Sequence, residues 1–289
     1  QLIKDADEAA LAAKNAGGNR LHVVTPDDSE LQTLRVSMER AASLDSALNT
    51  GMLQLRCQRI EPIGSSINAM PMYEVLIGMQ GREKELVPPG QFIPAAERFG
   101  RMAAVDRWVL QTLCQWIADH AHRLRYLEAL TVNLSAQTLT DPGFPDFVES
   151  QFGRHEIEAR KICFEVTETA AVANLGTAAD MIRDLKGLGC RFALDDFGSG
   201  LASYAYLKNL PVDFLKIDGE LIRGIAEHKT DQAVVKSINE LSHYLGKSTV
   251  GEFVESDAIL QRLRELGLDY AQGYQVERPI PIDELNVGH

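Results

Sequence analysis

The sequence predicts an α/β protein, a (β/α)8 barrel of the TIM type with one strand running antiparallel to the others. Three observations carry that expectation. From Leu53 onward short apolar runs alternate with longer amphipathic segments, eight such runs can be counted, and polar residues stand at the ends of nearly all of them. Parallel neighbours in a sheet need crossover helices, so eight strands alternating with helices point to a closed barrel.

Taken in order, residues 1–30 read as an Ala-rich helix around Asp5–Leu11 that stops at Gly17-Gly18. A short strand at Arg20–Val24 follows, then a turn with a helix cap at Pro26–Ser29. A polar helix is expected from Glu30 to Asn49. The eight strands are expected at Leu53–Ile60, Met72–Ile77, Leu130–Leu134, Ile162–Thr167, Arg191–Asp195, Asp213–Ile217, Ser248–Glu252 and Tyr270–Gln275. Ala103–His122, Leu175–Leu188, Asp231–Leu245 and Asp257–Leu266 place apolar residues three and four apart and read as helices. Gly189 and Gly267 stand where two of them should stop. The interval from Ile60 to Met72 is too short for a helix and holds Pro62-Ile63-Gly64, so it reads as a hairpin. That hairpin makes one strand antiparallel.

Composition narrows the chemistry. The chain has 289 residues and a formal net charge of -12. Such a surface argues against nucleic-acid polymers, whose binding requires Lys and Arg to displace counterions. A small phosphate-bearing ligand stays possible if metal ions or a local cluster reverse the field. Cys57, Cys114, Cys163 and Cys190 form no Cys-x-x-Cys pair; three of them sit within apolar runs and read as buried thiols, which fits a reducing, cytoplasmic setting. No stretch is long and apolar enough to span a bilayer and no signal peptide opens the chain, so this fragment is expected to make no membrane contact.

Polar residues mark the strand ends: Glu74, Asn133, Glu165 with Glu168, Asp195 with Asp196, Lys216 with Asp218, Glu252 with Glu255, and Gln272. In a barrel the C-terminal strand ends converge on one mouth. A lone Asp after a strand usually caps the next helix, and for Asp195-Asp196 alone capping and chemistry are evenly matched. Glu74 is flanked by Tyr73, Val75, Leu76 and Ile77, and burying one carboxylate without a partner is costly. Asn133, between Val132 and Leu134, makes the same demand. Seven strand ends raising it together favour a shared site. Carboxylates with an amide oxygen are hard donors suited to Mg²⁺ or Mn²⁺. No Gly-x-Ser-x-Gly elbow and no Gly-x-x-x-x-Gly-Lys loop is present. Several carboxylates, one lysine and no nucleophilic Ser or Cys fit metal-assisted hydrolysis of a phosphate ester.

The motifs Tyr-Glu-Val-Leu at 73–76, Val-Asn-Leu-Ser at 132–135 and Phe-Glu-Val-Thr-Glu-Thr at 164–169 follow in order. After them come Leu-Asp-Asp-Phe-Gly-Ser-Gly at 194–200, Leu-Lys-Ile-Asp at 215–218, Glu-Phe-Val-Glu at 252–255 and Gln-Gly-Tyr at 272–274. With them the chain resembles the EAL domain, the phosphodiesterase that opens cyclic di-GMP, over about residues 50–285. Residues 6–20 are similar to the last helix and strand of a GGDEF domain. The organisation implied is a GGDEF-like C-terminal remnant at 1–30, a helical linker at 31–49 and an EAL domain at 50–289.

The resemblance implies that Glu74, Asn133, Glu165, Asp195, Asp196 and Glu252 hold two divalent cations, Mg²⁺ or Mn²⁺. It implies that Lys216 orients the attacking water, that Glu252 is the general base, and that Gln272 completes the polar network. Gln58 and Leu76, with Gln272, would line the substrate groove. Glu168 would brace the loop Asp196–Ser203, and Glu255 would support the end of the seventh strand. The implied reaction is in-line attack of activated water on phosphorus, giving linear pGpG. A homodimer and upstream GGDEF and sensor domains are implied partners, and the full protein could be tethered to the inner membrane. Three positions depart from the family pattern. Val75 replaces Ala in the Glu-Ala-Leu triplet, Gly78 stands where an Arg usually grips a substrate phosphate, and Val276 replaces a Phe near the base. Gly78 opens an alternative: a domain that binds cyclic di-GMP as a receptor or scaffold without useful turnover.

Overall fold

The computed structural model describes residues 19, 29–64, 69–81, 85–198 and 206–285. The expected elements before Ser29, including the GGDEF-like remnant, and loop positions 199–205 lie outside the described residues. The chain divides into two compact units, Gln1–Gln54 with Gly78–Met102, and Leu55–Ile77 with Ala103–His289.

In the first unit, helix α1 (Ser29–Thr50) covers the segment read as a polar helix. Leu34, Ala41, Leu44 and Ala47 give it one buried stripe, at the three- and seven-residue spacing that keeps side chains on one helix face. It packs against α2 (Pro89–Arg98), where Phe92, Ala95 and Ala96 are buried. Two prolines, Pro89 and Pro94, fall within α2. Pro89 sits in the first turn, where its missing N–H is no loss.

The second unit is a closed barrel. Its strands are β1 (Leu53–Pro62), β2 (Met72–Gln80), β4 (Leu130–Asn133), β5 (Ile162–Thr167), β6 (Arg191–Phe197), β7 (Phe214–Ile217), β8 (Ser248–Gly251) and β9 (Tyr270–Gln272). The short β3 (Leu86–Val87) pairs with the end of β2 at Met79 and Gln80, and β10 (Ile280–Pro281) pairs with β1 at Arg56 and Cys57. Around the barrel the order is β1-β9-β8-β7-β6-β5-β4-β2, closed by a β1–β2 pairing. Every pairing from β2 to β9 is parallel, whereas β1 runs antiparallel to β9, with Ile60 opposite Gln272. The hairpin expectation therefore holds.

Helices α3 (Met102–Asp119), α4 (Phe144–His155), α5 (Glu168–Ala173), α6 (Leu175–Gly187), α7 (Gly219–Gly224), α8 (Lys229–Tyr244) and α9 (Asp257–Leu266) connect the strands. The Ser256 hydroxyl caps α9 by accepting from Ile259 N, and Gly267 ends it at φ +79°. The eighth barrel strand stops three residues short of the expected Gln275. After Gly273 the chain turns, with Val276 and Glu277 both donating backbone N–H to Gly273 O at 3.0 Å.

Ile60, Met72, Ala129, Cys163, Ala193, Phe214 and Val250 form one buried cluster, with Tyr270 packed on it. They come from the eight strands or their first flanking residue and make an apolar layer across the barrel. All four cysteines are buried and free, and burial pushes Cys57, Cys114 and Cys190 up to about 12, so none is a ready thiolate. Among the described residues no helix is long and apolar enough to cross a membrane.

Candidate active site

Side chains of a strand alternate between its two faces, so the residue two positions from each member of the apolar layer also points into the barrel. Those residues are Gln58, Glu74, Thr131, Glu165, Asp195, Lys216, Glu252 and Gln272, and all eight are buried. In the parallel strands they lie toward the C-terminal end. A complete polar layer thus sits on the apolar one, beneath the mouth.

Lys216 is its centre. Its Nζ lies 2.8 Å from Glu165 Oε2, 2.8 Å from Glu252 Oε1, 3.3 Å from Asp195 Oδ1 and 3.5 Å from Glu74 Oε2. Burial works against its charge, yet Asp195, Glu165, Glu252 and Glu74 together hold its pKa well above the ordinary lysine value. One lysine cannot neutralise four carboxylates. Burial, followed by the repulsion of Glu74 and Asp195 and opposed by Lys216, pushes Glu165 up to about 8. Burial likewise holds Glu252 well above the usual carboxylate range, against the pull of Lys216. Glu74 behaves differently. Burial opposes its ionisation, but Lys216, Gln272 and Asn133 outweigh burial and lower its pKa. Asn133 Nδ2 donates to Glu74 Oε1 at 2.7 Å, and Gln272 Nε2 donates to Glu74 Oε2 at 2.6 Å. Gln272 Nε2 also reaches Gln58 Oε1 at 3.3 Å, and Gln58 Nε2 donates to Glu277 O at 2.9 Å.

Asp195 and Asp196 are neighbours, and on a regular strand they would face opposite sides. The β6–β7 register shifts between Leu194 and Phe197, and Asp196 adopts φ +55°, the left-handed region that Asp tolerates better than most residues. Through this bulge carboxylate oxygens of Asp195, Asp196 and Glu252 come within 4.8 Å of one another. Burial and then the charge of Asp195 raise Asp196 to about 6. The buried oxygens Thr131 Oγ1, Glu165 Oε1 and Gln272 Oε1 make no hydrogen bond among the described residues, whereas Asp195 Oδ1 has the Lys216 ammonium at 3.3 Å. Buried acceptors left without donors are costly. A hard, oxygen-rich donor set with unpartnered oxygens and clustered carboxylates fits divalent cations of the Mg²⁺ or Mn²⁺ type.

Two positions differ from expectation. Asn133 is exposed, not buried. It ends β4 one alternation above Thr131, which fills the buried layer, so it faces the open mouth while still bonding Glu74. Asp218 caps α7 by accepting from Glu220 N at 2.6 Å, the ordinary fate of an Asp after a strand. The remaining sequence candidates lie around the layer. Leu76, two residues past Glu74, is half-buried. Glu168 accepts from Gly198 N at 3.0 Å and from the Tyr206 hydroxyl, so it ties together both flanks of positions 199–205. Glu255 is exposed and faces Arg223 at 3.6 Å, outside the cluster.

Sequence reading missed Thr131 and Asp106. Thr131 was legible in the period-two pattern, two residues before Asn133. Asp106 on α3 had no local signal. Its buried Oδ2 accepts from Ser135 N at 3.0 Å, Ser135 Oγ at 2.7 Å and Thr138 Oγ1 at 2.6 Å, pinning the turn that follows Asn133. Asp106→Ala is expected to cost about 1–3 kcal/mol in chemical denaturation, because buried donors lose their acceptor.

The fold and this layer define a barrel protein of the enzyme type, with a lysine-centred carboxylate site beneath its C-terminal mouth. The chain belongs to the EAL domain family, whose model matches residues 42–279. It is 39% identical over 282 residues to the cyclic di-GMP phosphodiesterase PdeB of Shewanella oneidensis, covering 98% of this chain and 33% of that protein. It is 39% identical over 215 residues to PdeF of Escherichia coli, also named a cyclic di-GMP phosphodiesterase, covering 74% of this chain and 29% of that one. The chain thus spans about one third of the length of these relatives. Among solved structures it resembles the FimX EAL domain of Pseudomonas aeruginosa bound to c-di-GMP, with a TM-score of 0.77, 28% identity, and coverage of 83% of this chain and 96% of that one.

Proposed function

We propose that this chain hydrolyses one phosphodiester of cyclic di-GMP to give linear pGpG, as a divalent-metal enzyme of bacterial second-messenger signalling. The observation that carries the reading is the buried polar layer, with Glu74, Glu165, Asp195 and Glu252 gathered on Lys216 and with oxygens left unpartnered. The names of the relatives point to the same activity. Glu74, Asn133, Glu165, Asp195, Asp196 and Glu252 would hold two cations, Mg²⁺ or Mn²⁺. When bound, they supply an activated water and offset the charge that builds on the phosphodiester.

The chain's own groups would do the rest. Lys216 orients the water, and Glu252, at hydrogen-bond distance from Lys216, takes its proton. Gln272 and Asn133 keep Glu74 in one position. Gln58, Leu76 and Gln272 line the substrate groove. Glu168 braces the loop whose flanks it bonds, and Glu255 holds the chain after β8 through Arg223. A cytoplasmic setting, a homodimer and upstream GGDEF and sensor domains, with a possible inner-membrane tether for the whole protein, complete the reading. The test is turnover with excess Mg²⁺ or Mn²⁺, on wild type beside Glu74→Ala. Wild type should yield pGpG and the variant should lose on the order of a hundredfold or more. No product from folded wild type would overturn the proposal.

Gly78 supports a second reading, a receptor without useful turnover. Alternation along β2 puts it on the same strand face as Glu74 and Leu76, where a cationic side chain would be expected to meet a phosphate. Gly78→Arg should tighten cyclic di-GMP binding by roughly ten- to a hundredfold, the worth of a charge-assisted contact. Calorimetry checks this, and an unchanged or weaker affinity would show that Gly78 is no deficit.

A further inference from the structure

Because β2 and β4–β9 are parallel, their N-terminal ends share the side of the barrel opposite the mouth. On that side lies a cavity of about 780 Å³, lined on one part by Arg125, Arg154, His155, Arg160, Lys161 and Arg191. Lys161 directly precedes β5 and Arg191 opens β6. A cationic wall is unexpected on a chain of net charge -12. Part of it is spoken for, since Arg191 pairs with Glu128 and Arg160 with Glu158, and Lys161 Nζ donates to Leu127 O at 2.6 Å. Arg125, Arg154 and His155 make no ion pair or hydrogen bond among the described residues. Of the three lining carboxylates, only Glu156 is left without a cation among the described residues. The rest of the lining includes Met70, Ile117 and Leu124, an apolar surface next to the arginines.

We infer that this cleft is a second ligand site, for a small phosphate-bearing anion of nucleotide size. The volume falls in the range of small-molecule sites, which pair apolar walls with a few placed polar groups. Arg125 and Arg154 offer planar guanidinium donors that match phosphate oxygens, and Ile117, Leu124 and Met70 offer a surface for a base. The site is independent of the acidic mouth and of the activity proposed there.

Calorimetry on metal-free protein in EDTA tests it, because without cations the carboxylate mouth repels anions. The probes are inorganic triphosphate and GTP. Both should bind, GTP the more tightly, and added salt should weaken both. The Arg125→Ala/Arg154→Ala variant, altered at exposed positions, should lose about tenfold or more in affinity for each. Glu74→Ala should bind as wild type does. Absence of binding at millimolar ligand, an unchanged affinity in the double variant, or loss of binding in Glu74→Ala would each overturn the site. Equal affinity for the two probes would overturn its nucleotide size and leave a site for phosphate alone.

Discussion

Lys216→Met is expected to abolish pGpG production and to lower the unfolding free energy by about 3–5 kcal/mol, the usual result of leaving buried charges without their partner. Lys216 is 1% exposed and lies within 3.5 Å of oxygens on four carboxylates. Its removal leaves them facing one another in a low-dielectric interior. Methionine keeps most of the volume, so the loss reports charge and not a cavity. The pH dependence has a definite sign. Glu165, at about 8, and Glu252 already have raised pKa values, and loss of Lys216 raises them further. A carboxylate with a raised folded-state pKa favours folding below its unfolded value, and that contribution disappears as pH rises through the folded value. Above about 8 the wild-type Glu165 ionises beside Lys216 whereas the variant's stays protonated, so the deficit of Lys216→Met should widen as pH rises through about 8. A variant as stable as wild type at pH 8 would show that the carboxylates do not depend on this lysine.

Gly273→Ala should be nearly as damaging. A Cβ on Gly273 would stand 2.2 Å from Val254 N and 2.3 Å from Val254 O, both backbone atoms that cannot rotate away. Gly273 also adopts φ +157°, at the edge of what a side chain accepts. The two segments it lets approach are locked together. Val254 N donates to Gln272 O at 2.9 Å, and Gln275 N donates to Val254 O at 2.9 Å. One methyl group would push apart the ends of β8 and β9, which carry Glu252 and Gln272. A loss of about 3 kcal/mol or more is expected in denaturant titration, with turnover falling in the fraction that stays folded. A fully stable, fully active Gly273→Ala protein would show that these segments can separate without disturbing the layer.

Neither effect could be read from a local pattern. The Gly-Tyr pair after Gln272 marks a turn, but the residue that Gly273 must clear lies on a different segment, after β8. Asp106 belongs to the same kind. It sits on an amphipathic helix as one more polar residue, and only the packing of α3 against the turn at Ser135–Thr138 makes it an acceptor for three donors.

The sequence by itself determined the eight strands, that one of them runs antiparallel, the mouth as the place where polar residues gather, and the family through its ordered motifs. These follow from local rules: alternation sets which face a strand residue takes, and spacing separates strand from helix. Tertiary structure decided the level at which each inward residue sits. Alternation says that Thr131 and Asn133 share a face, but only the register between neighbouring strands puts Thr131 in the buried layer and Asn133 at the open mouth. It decided that Lys216 stands among four carboxylates, because eight strands must close before their second inward residues meet. It also decided the fate of Asp195-Asp196, which in sequence looks as much like a helix cap as a site. A single bulge in β6, with Asp196 at φ +55°, turns both carboxylates toward Glu252.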